Sequence, residues 1–267
     1  MIPAAFDYHR PNDLNGVISL LQEHGDDARV IAGGHSLIPL MKLRMAEVPH
    51  LIDLQSISEL TGIESGSIIR IGAMTTQADI IDSASLASSA PILKEASLQI
   101  ADPQVRYMGT VGGNVANGDP GNDMPGLMQC LDATFILRGP NGEREVKARD
   151  FYHAAYMTER EDDEVMVAVT FDAPKGGYAY EKQKRKIGDY ATAAAAVIIS
   201  KDGSTCKEAS IAMTNLSDTP VFCGAASDCL IGTSVSAEDI KNAVNSMIDA
   251  IDPAEDNRGP VEFKKHA

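Results

Sequence analysis

Hydrophobic and polar positions near the N-terminus follow first a helical and then an extended pattern. Apolar residues recur at helical spacing after Asn12 and Asp13, and either of these two residues suits the cap of the predicted helix. Short apolar runs at residues 28–32 and 49–54 predict strands, with a second helix between them. Residues 12–54 therefore predict a βαβ-like unit. Its first helix has an apolar face of Leu14, Val17, Ile18 and Leu21.

The middle of the chain predicts strands and short helices in mixed order. Residues 68–72 predict a strand, Thr76 and Asp79 resemble a capping box, and Pro91 suits the first turn of a further helix. A Gly-Pro-Asn-Gly turn then joins two runs that predict a hairpin, and another strand follows. These last three strands are 134–138, 143–147 and 164–171.

Residues 101–125 differ from their surroundings because they are rich in Gly, Asn, Asp and Pro. They predict a long loop, and a loop of this length in a compact domain is usually functional or disordered.

The C-terminal third shows a new pattern after a short breaker-rich segment at residues 172–177, which predicts a domain boundary. An amphipathic helix is predicted over residues 237–251, with Ser236 or Ala237 near its cap. Three strands are predicted before it, at 177–184, 192–200 and 208–215.

Composition narrows the class of protein. The 267 residues suit about two domains, since a domain has roughly 150 residues. The net charge is −15, from 23 basic and 38 acidic residues, and such a surface repels nucleic acid. A bound phosphate would therefore need local donors. The N-terminus shows no signal-peptide pattern, and no apolar run approaches the ~20 residues that span a bilayer.

Cysteines and histidines do not predict a metal site. The four cysteines form no C-x-x-C pair, so reduced thiols are expected. His24, His50, His153 and His266 are scattered along the chain without ligand spacing.

Two glycine loops carry the candidate chemistry. The first, Ala32-Gly-Gly-His-Ser36, joins a predicted strand to a predicted helix, where glycines let backbone N–H groups approach a ligand. The second, Thr110-Val-Gly-Gly-Asn114, is followed by no Lys or Arg as far as Asp123, so amides and Thr, Ser or Asn side chains would hold a phosphate. Asp119 and Asp123 suit sugar hydroxyls better. Taken singly, each loop is also compatible with a plain structural turn.

Together, the loops resemble the paired FAD-binding signatures of the medium subunit of molybdenum-containing hydroxylases, the group that includes xanthine dehydrogenase and carbon monoxide dehydrogenase. Further matches to the family are Phe6-Asp-Tyr-His-Arg-Pro11, Ile52-Asp-Leu54, Ile71-Gly-Ala73, the Lys182-x-x-x-Arg-Lys-x-Gly-Asp-Tyr-Ala191 segment and Asp256-x-Arg-Gly-x-x-Glu262-Phe. The resemblance covers essentially the whole chain, and His35 favours the carbon monoxide dehydrogenase branch.

The resemblance implies an α+β fold in two domains. Residues 1–172 would form a FAD-binding domain of the p-cresol methylhydroxylase / vanillyl-alcohol oxidase type, with subdomains 1–54 and 55–172. Residues 173–267 would form a C-terminal domain with a three-stranded antiparallel sheet and helices. The implied flavin-binding residues are Ala32, Gly33, Gly34, His35, Ser36, Leu37, Thr110, Val111, Gly112, Gly113, Asn114, Asn117, Asp119, Asp123, Lys182, Asp189 and Tyr190.

The implied function is electron transfer within a larger oxidoreductase. FAD would receive electrons from [2Fe–2S] clusters on a small partner subunit and pass them to quinone or another acceptor. Substrate would be oxidised at molybdopterin on a large subunit, in a dimer of heterotrimers. No catalytic residue or metal ligand is expected on this chain. The implied location is the cytoplasm. The alternative is the inner face of the cytoplasmic membrane, with which the complex would associate only through its electron acceptor.

Other interpretations remain open at this point. The chain suits an FAD-binding assembly or regulatory module without catalytic partners, or a stand-alone flavin oxidase. For Tyr190, packing in the C-terminal core and contact with the flavin ring are equally compatible with the spacing. The substrate and the acceptor are left open too.

Overall fold

The structure of the chain, a computed structural model, describes residues 1–267. The N-terminal part forms a three-stranded parallel sheet in the order β1-β3-β2. Asp13 caps the first helix by accepting the N–H of Gly16 at 2.8 Å, and Gly25 ends it with a φ of 51°. The predicted helix and both predicted strands are confirmed. The elements are β1 (Asp7–His9), α1 (Leu14–His24), β2 (Ala28–Ile31), α2 (Leu37–Lys42) and β3 (His50–Asp53).

The second unit is a five-stranded antiparallel sheet in the order β4-β5-β10-β6-β7, with helices packed on it. The capping box of Thr76 and Asp79, the helix that starts at Pro91 and the hairpin are all confirmed. The elements are β4 (Ile63–Glu64), β5 (Ile68–Gly72), α3 (Gln77–Asp82), α4 (Ala84–Ser89), α5 (Pro91–Gln99), α6 (Pro103–Met108), α7 (Val111–Ala116), α8 (Asp123–Cys130), β6 (Thr134–Gly139), β7 (Gly142–Lys147), β8 (Tyr152–Ala154), β9 (Met157–Thr158) and β10 (Val165–Asp172).

The prediction of a long loop at residues 101–125 is wrong, because this stretch folds into α6, α7 and the start of α8. Helices α6 and α7 each have a side-chain cap. The Asp102 carboxylate accepts the N–H of Val105 in α6, and the Thr110 hydroxyl accepts the N–H of Gly113 in α7. Two helices of 6 residues each are too short to show an apolar period in the sequence.

The C-terminal domain is an antiparallel sheet in the order β11-β12-β13-β14 with three helices. The three predicted strands are present, and the sheet gains a fourth of 2 residues, β14, which is too short to predict from a pattern. Ser236 caps α10 as expected. The elements are β11 (Gly177–Gln183), β12 (Ala193–Asp202), β13 (Thr205–Thr214), β14 (Val221–Phe222), α9 (Gly224–Leu230), α10 (Ala237–Ala250) and α11 (Val261–His266).

The second unit and the C-terminal domain are joined through α8, whose residues are all buried. At its end, the hydroxyl of Ser210 on β13 donates to the carbonyl of Cys130 at 2.6 Å. The guanidinium of Arg149 lies 3.5 Å from the ring centroid of Phe222 on β14. These contacts hold the C-terminal sheet against the helical layer. None of the helices has the length and apolar content that crossing a membrane requires.

Candidate functional site

The three units surround one cavity of about 700 Å³. This volume falls within the roughly 300–1,000 Å³ of pockets that take small molecules and cofactors. Its walls include parts of the first glycine loop (residues 32–37), the second glycine loop (residues 110–117) and a third segment (residues 186–190). Folding therefore brings together three stretches that are far apart in the sequence.

The first glycine loop presents free backbone donors to the cavity. The N–H groups of residues 33–36 donate to no acceptor within the protein. The backbone of residues 33–36 is half-buried or exposed and lines the cavity, and successive N–H groups that are open in this way suit an anionic ligand. The Ser36 hydroxyl is also free of protein partners, and His35 is exposed and makes no hydrogen bond. A hydrogen bond from His35 within its own loop is thus not found.

Gly33 and Gly34 determine the shape of this loop. A Cβ on Gly33 would lie 2.1 Å from the carbonyl oxygen of Met108 and 2.9 Å from the Cα of Gly109. Gly34 has a φ of 75°, where side chains are disfavoured. The loop consequently touches the backbone just before the second glycine loop, and only glycine fits at that contact.

The second glycine loop differs from the expectation that its amides are free. The N–H groups of Val111 and Gly112 donate to the carbonyls of Thr75 and Ala73, each at 2.9 Å. The N–H of Gly113 is also committed, because it donates to the Thr110 hydroxyl oxygen in the cap of α7. These amides fix the loop on the second unit. Its side chains, and not its backbone, are left to contact a ligand.

Two asparagines connect this loop to α8. Asn122 donates its side-chain amide to the carbonyl of Asn114 at 2.8 Å, and the side-chain oxygen of Asn114 accepts the N–H of Met124. No acceptor in the protein contacts the Asn114 amide nitrogen, and Asn114 and Asn117 both line the cavity. The loop therefore offers the amide of Asn114 and the hydroxyl of Thr110 as donors.

Asp123 and Lys182 form a buried ion pair, with 2.8 Å between the carboxylate and the ammonium. The other carboxylate oxygen accepts the Tyr180 hydroxyl at 2.5 Å, and the ammonium also donates to the carbonyl of Gln99. Burial raises the pKa of Asp123, and Lys182 opposes that shift. Lys182, an implied ligand residue, is not part of the cavity wall, and its ammonium joins β11 to α8.

Two further implied residues also lie outside the cavity wall. Val111 is fully buried in the core, since it begins α7. Asp119 accepts the N–H of Gly121 at 2.9 Å, and together with burial it raises the pKa of Tyr156 to about 12.

The third segment closes the cavity from the C-terminal domain. Asp189 accepts a hydrogen bond from Arg185 at 2.8 Å, which lowers the pKa of Asp189. Its charge is thus balanced by Arg185, while Asp189 itself lines the cavity as the resemblance implied. Tyr190 lines the cavity and is 42% exposed, with the Arg258 guanidinium 5.5 Å from its ring centroid. Tyr190 is therefore not part of the C-terminal core.

The sequence analysis did not predict several polar residues of the cavity wall, among them Gln77 and Lys186. Gln77 accepts a hydrogen bond from Ser97, while its buried amide nitrogen has no acceptor in the protein. Lys186 also lines the cavity. It belongs to the family-like segment of residues 182–191, from which the resemblance implied only Lys182, Asp189 and Tyr190 as flavin-binding residues. Gln77 carries no sequence signal, because α3 reaches the cavity only through tertiary packing. The implied residues that do line the wall are Ala32, Gly33, Gly34, His35, Ser36, Leu37, Thr110, Gly112, Gly113, Asn114, Asn117, Asp123, Asp189 and Tyr190.

Comparison with known proteins identifies the cofactor of this cavity. Residues 4–174 match the model of the FAD-binding domain in molybdopterin dehydrogenase, and residues 178–267 match that of the CO dehydrogenase flavoprotein C-terminal domain. The chain belongs to this flavoprotein family. FAD is accordingly its cofactor, and the relatives are subunits of molybdenum-containing oxidoreductases.

Individual members of the flavoprotein family match over nearly their whole length. The chain is 53% identical to the carbon monoxide dehydrogenase medium chain of Afipia carboxidovorans, covering 99% of this chain and 93% of that protein. It is 32% identical to the glyceraldehyde dehydrogenase medium chain of Sulfolobus acidocaldarius, with 99% and 95% covered. The solved carbon monoxide dehydrogenase of Hydrogenophaga pseudoflava superposes with a TM-score of 0.97 at 46% identity, covering 100% of this chain and 94% of that chain.

The residues of the cavity fit FAD. The free amides of the first glycine loop suit a pyrophosphate, which needs donors that an acidic surface does not supply. The orphaned amide nitrogen of Gln77 is a second donor in need of an acceptor. Tyr190 gives a partly exposed aromatic ring in the cavity wall, suitable for contact with a planar ring.

Proposed function

We propose that this chain is the flavoprotein subunit of a carbon monoxide dehydrogenase-type complex, in which it transfers electrons from iron–sulfur clusters of a small partner subunit to quinone or another acceptor. The observation that carries the proposal is the row of four free amides in a cavity formed by three units. The identity of 53% to a carbon monoxide dehydrogenase medium chain, against 32% to a glyceraldehyde dehydrogenase medium chain, favours CO as the substrate of the complex.

FAD supplies the redox chemistry when it is bound, so the residues of this chain need only hold and shield it. The amides of residues 33–36 bind its pyrophosphate, and Gly33 keeps this loop in contact with the backbone at Met108. Thr110 and Asn114 donate from the second glycine loop, which lies beside the first. No nucleophile or general base is required of the chain.

Partner subunits are part of this proposal, in the form of a large molybdopterin subunit and a small [2Fe–2S] subunit in a dimer of heterotrimers. The exposed apolar residues after the first glycine loop support a docked partner. Leu43 and Met45 are 50% and 73% exposed, although they belong to a stretch whose Met41 is buried. Exposed apolar side chains clustered beside a cofactor site are typical of a contact surface.

The isolated chain is expected to bind FAD one to one and in preference to FMN, because the free amides suit a pyrophosphate that FMN lacks. Competition of FMN against FAD, followed by flavin fluorescence, measures this preference. Equal affinity for the two flavins would contradict the pyrophosphate assignment.

The isolated, FAD-loaded chain is expected to show no flavin bleaching under CO, whereas the native complex reduces its flavin with CO. Anaerobic spectra of both samples, with glyceraldehyde and xanthine as competing substrates, make the comparison. Reduction of the isolated subunit by any substrate would instead indicate a stand-alone oxidase. Purification of the native chain without any partner would support an assembly or regulatory module.

Replacing Tyr190 with alanine is expected to leave FAD bound but to change its visible spectrum and its reoxidation rate, because the ring lines the cavity. A stacking contact contributes about 0.5–1.5 kcal/mol beyond burial, which is too little to release FAD. Tyr178→Ala is the matched control, since Tyr178 is 41% exposed and lies on β11 away from the cavity. A Tyr190 variant with an unchanged spectrum and rate would show that the ring does not contact the flavin.

A further inference from the structure

Three histidines that are far apart in the sequence meet at one end of the first sheet. They are His9 at the end of β1, His24 at the end of α1 and His50 at the start of β3. One ring nitrogen from each lies within 4.8 Å of the others, and we refer to these three residues as the histidine cluster. The expectation that His24 and His50 are scattered is therefore wrong in three dimensions.

Strand register and helix period explain why the histidines converge. In the parallel pair β1 and β3, Asp7 is opposite His50 and His9 is opposite Ile52, so these side chains share one face of the sheet. That face packs on α1, where His24 continues the spacing of the buried residues Val17 and Leu21. The sheet and the helix thus bring their imidazoles to the same edge.

The observed distances are close to those of a metal site. The His9 Nε2 and His50 Nδ1 atoms are 3.1 Å apart, and the rings of His24 and His50 are stacked with centroids 3.7 Å apart. Two ligands on tetrahedral Zn²⁺ lie about 3.3 Å apart for Zn–N bonds of about 2.0–2.1 Å. The third nitrogen, from His24, lies within 4.8 Å of the other two, and metal binding requires the His24 ring to turn out of its stack on His50.

A carboxylate and solvent access complete the arrangement. The Asp7 carboxylate lies 3.8 Å from His50 Nδ1, and its side chain is 78% exposed. The three histidines are half-buried, so an ion can enter without unfolding the sheet. Imidazole nitrogens with one carboxylate suit Zn²⁺, Ni²⁺, Co²⁺ or Cu²⁺, and not Mg²⁺ or Ca²⁺.

We propose that the histidine cluster binds one divalent transition-metal ion, with Asp7 as the fourth ligand, and that this ion ties β1, α1 and β3 together. The site is separate from the flavin cavity, since no member of the histidine cluster lines that cavity. Asp53, at the other end of β3, pairs with Ile31, which precedes the first glycine loop. At 3.3 Å per residue, His50 lies about 10 Å along β3 from Asp53, so the metal site and the first glycine loop are at opposite ends of this strand.

Metal titration of the untagged, FAD-loaded chain tests the proposal. Zn²⁺ alone is expected to bind at one equivalent and to raise the thermal unfolding temperature. Co²⁺ is expected to give the visible bands of a tetrahedral site, and excess Mg²⁺ should not displace it. Absence of Zn²⁺ and Co²⁺ binding by the wild-type chain would overturn the proposal directly.

Variants assign any bound metal to the histidine cluster. His24→Gln and His50→Gln are each expected to weaken Zn²⁺ binding at least about tenfold and to abolish the thermal shift, with FAD affinity unchanged. His153→Gln is the matched control, because His153 also contacts a carboxylate, Glu159, at 2.8 Å. Equal losses of Zn²⁺ affinity in His24→Gln and His153→Gln would show that the metal binds elsewhere. Unchanged Zn²⁺ affinity in both His24→Gln and His50→Gln would show the same. Unchanged FAD affinity separates this outcome from any failure of the proposed flavin function.

Discussion

Gly33→Ala is expected to abolish tight FAD binding while the chain stays folded. The new Cβ would lie 2.1 Å from the carbonyl oxygen of Met108, and a backbone atom cannot rotate away as a side chain does. The first glycine loop must therefore move, and its free amides move with it. Each hydrogen bond to a charged partner contributes about 1.5–3 kcal/mol, so the loss of two corresponds to roughly 100-fold or more in the dissociation constant.

Gly66→Ala is the matched control for this substitution. A Cβ on Gly66 would meet only the carbonyl oxygen of Ile68, at an ordinary 3.6 Å, and Gly66 lies outside the cavity. Fluorescence titration of FAD into each apoprotein gives the two dissociation constants, and circular dichroism verifies the fold. If folded Gly33→Ala bound FAD as tightly as the control, the amides of residues 33–36 would not be the pyrophosphate site.

Lys182→Met is expected to lower the free energy of unfolding by about 3–5 kcal/mol, because it leaves the Asp123 carboxylate buried without its cation. The side chains of the pair are only 1% and 5% exposed, so water cannot replace the lost ammonium. Urea unfolding at pH 7 measures the difference from the wild type. A loss below about 1 kcal/mol would show that the pair contributes no more than a surface ion pair.

The stability lost in Lys182→Met is expected to increase as the pH rises. Burial raises the pKa of Asp123, and removal of Lys182 removes the charge that opposes the shift. Between the unfolded-state pKa of about 3.9 and the raised folded-state pKa, Asp123 of the variant carries a proton in the folded chain and has lost it in the unfolded chain. Its free energy of unfolding should consequently fall as pH rises above about 4, by up to about 1.4 kcal/mol per unit, until the raised pKa is passed.

Two further variants separate the ion pair from general effects of the substitution. Lys147→Met is the control, because its 3.9 Å pair with Asp132 is about half exposed, and a change of at most about 1 kcal/mol is expected. Asp123→Asn combined with Lys182→Met should recover part of the loss, since no charge is left buried. A double variant no more stable than Lys182→Met alone would place the loss in packing and not in charge.

Local sequence determined those elements whose physical cause is local. The apolar face of α1, the capping boxes of Thr76 and Ser236, and the turn that joins β6 to β7 each depend on residues within a few positions of one another. These predictions are confirmed for that reason. Short elements such as β1, α6 and β14 escaped, because 2 to 6 residues do not establish a period.

The two glycine loops illustrate the limit of motif reasoning. Both are glycine-rich and both line the cavity, yet only the first presents free amides. The amides of Val111 and Gly112 pair with carbonyls of residues 73 and 75 on a different segment, which no local pattern reveals. Chain position alone could not show which donors were already occupied.

Charged and titratable side chains show the same division most clearly. The family motifs, the net negative charge and the lack of metal-ligand spacing along the chain could all be recognised from the order of residues alone. The three-dimensional packing was needed to show that Lys182 meets Asp123 inside the protein and that the histidine cluster forms from three separate elements. The physical reason is that an ion pair or a ligand set is defined by distances between side chains, and strand register and helix packing bring together residues that are tens of positions apart.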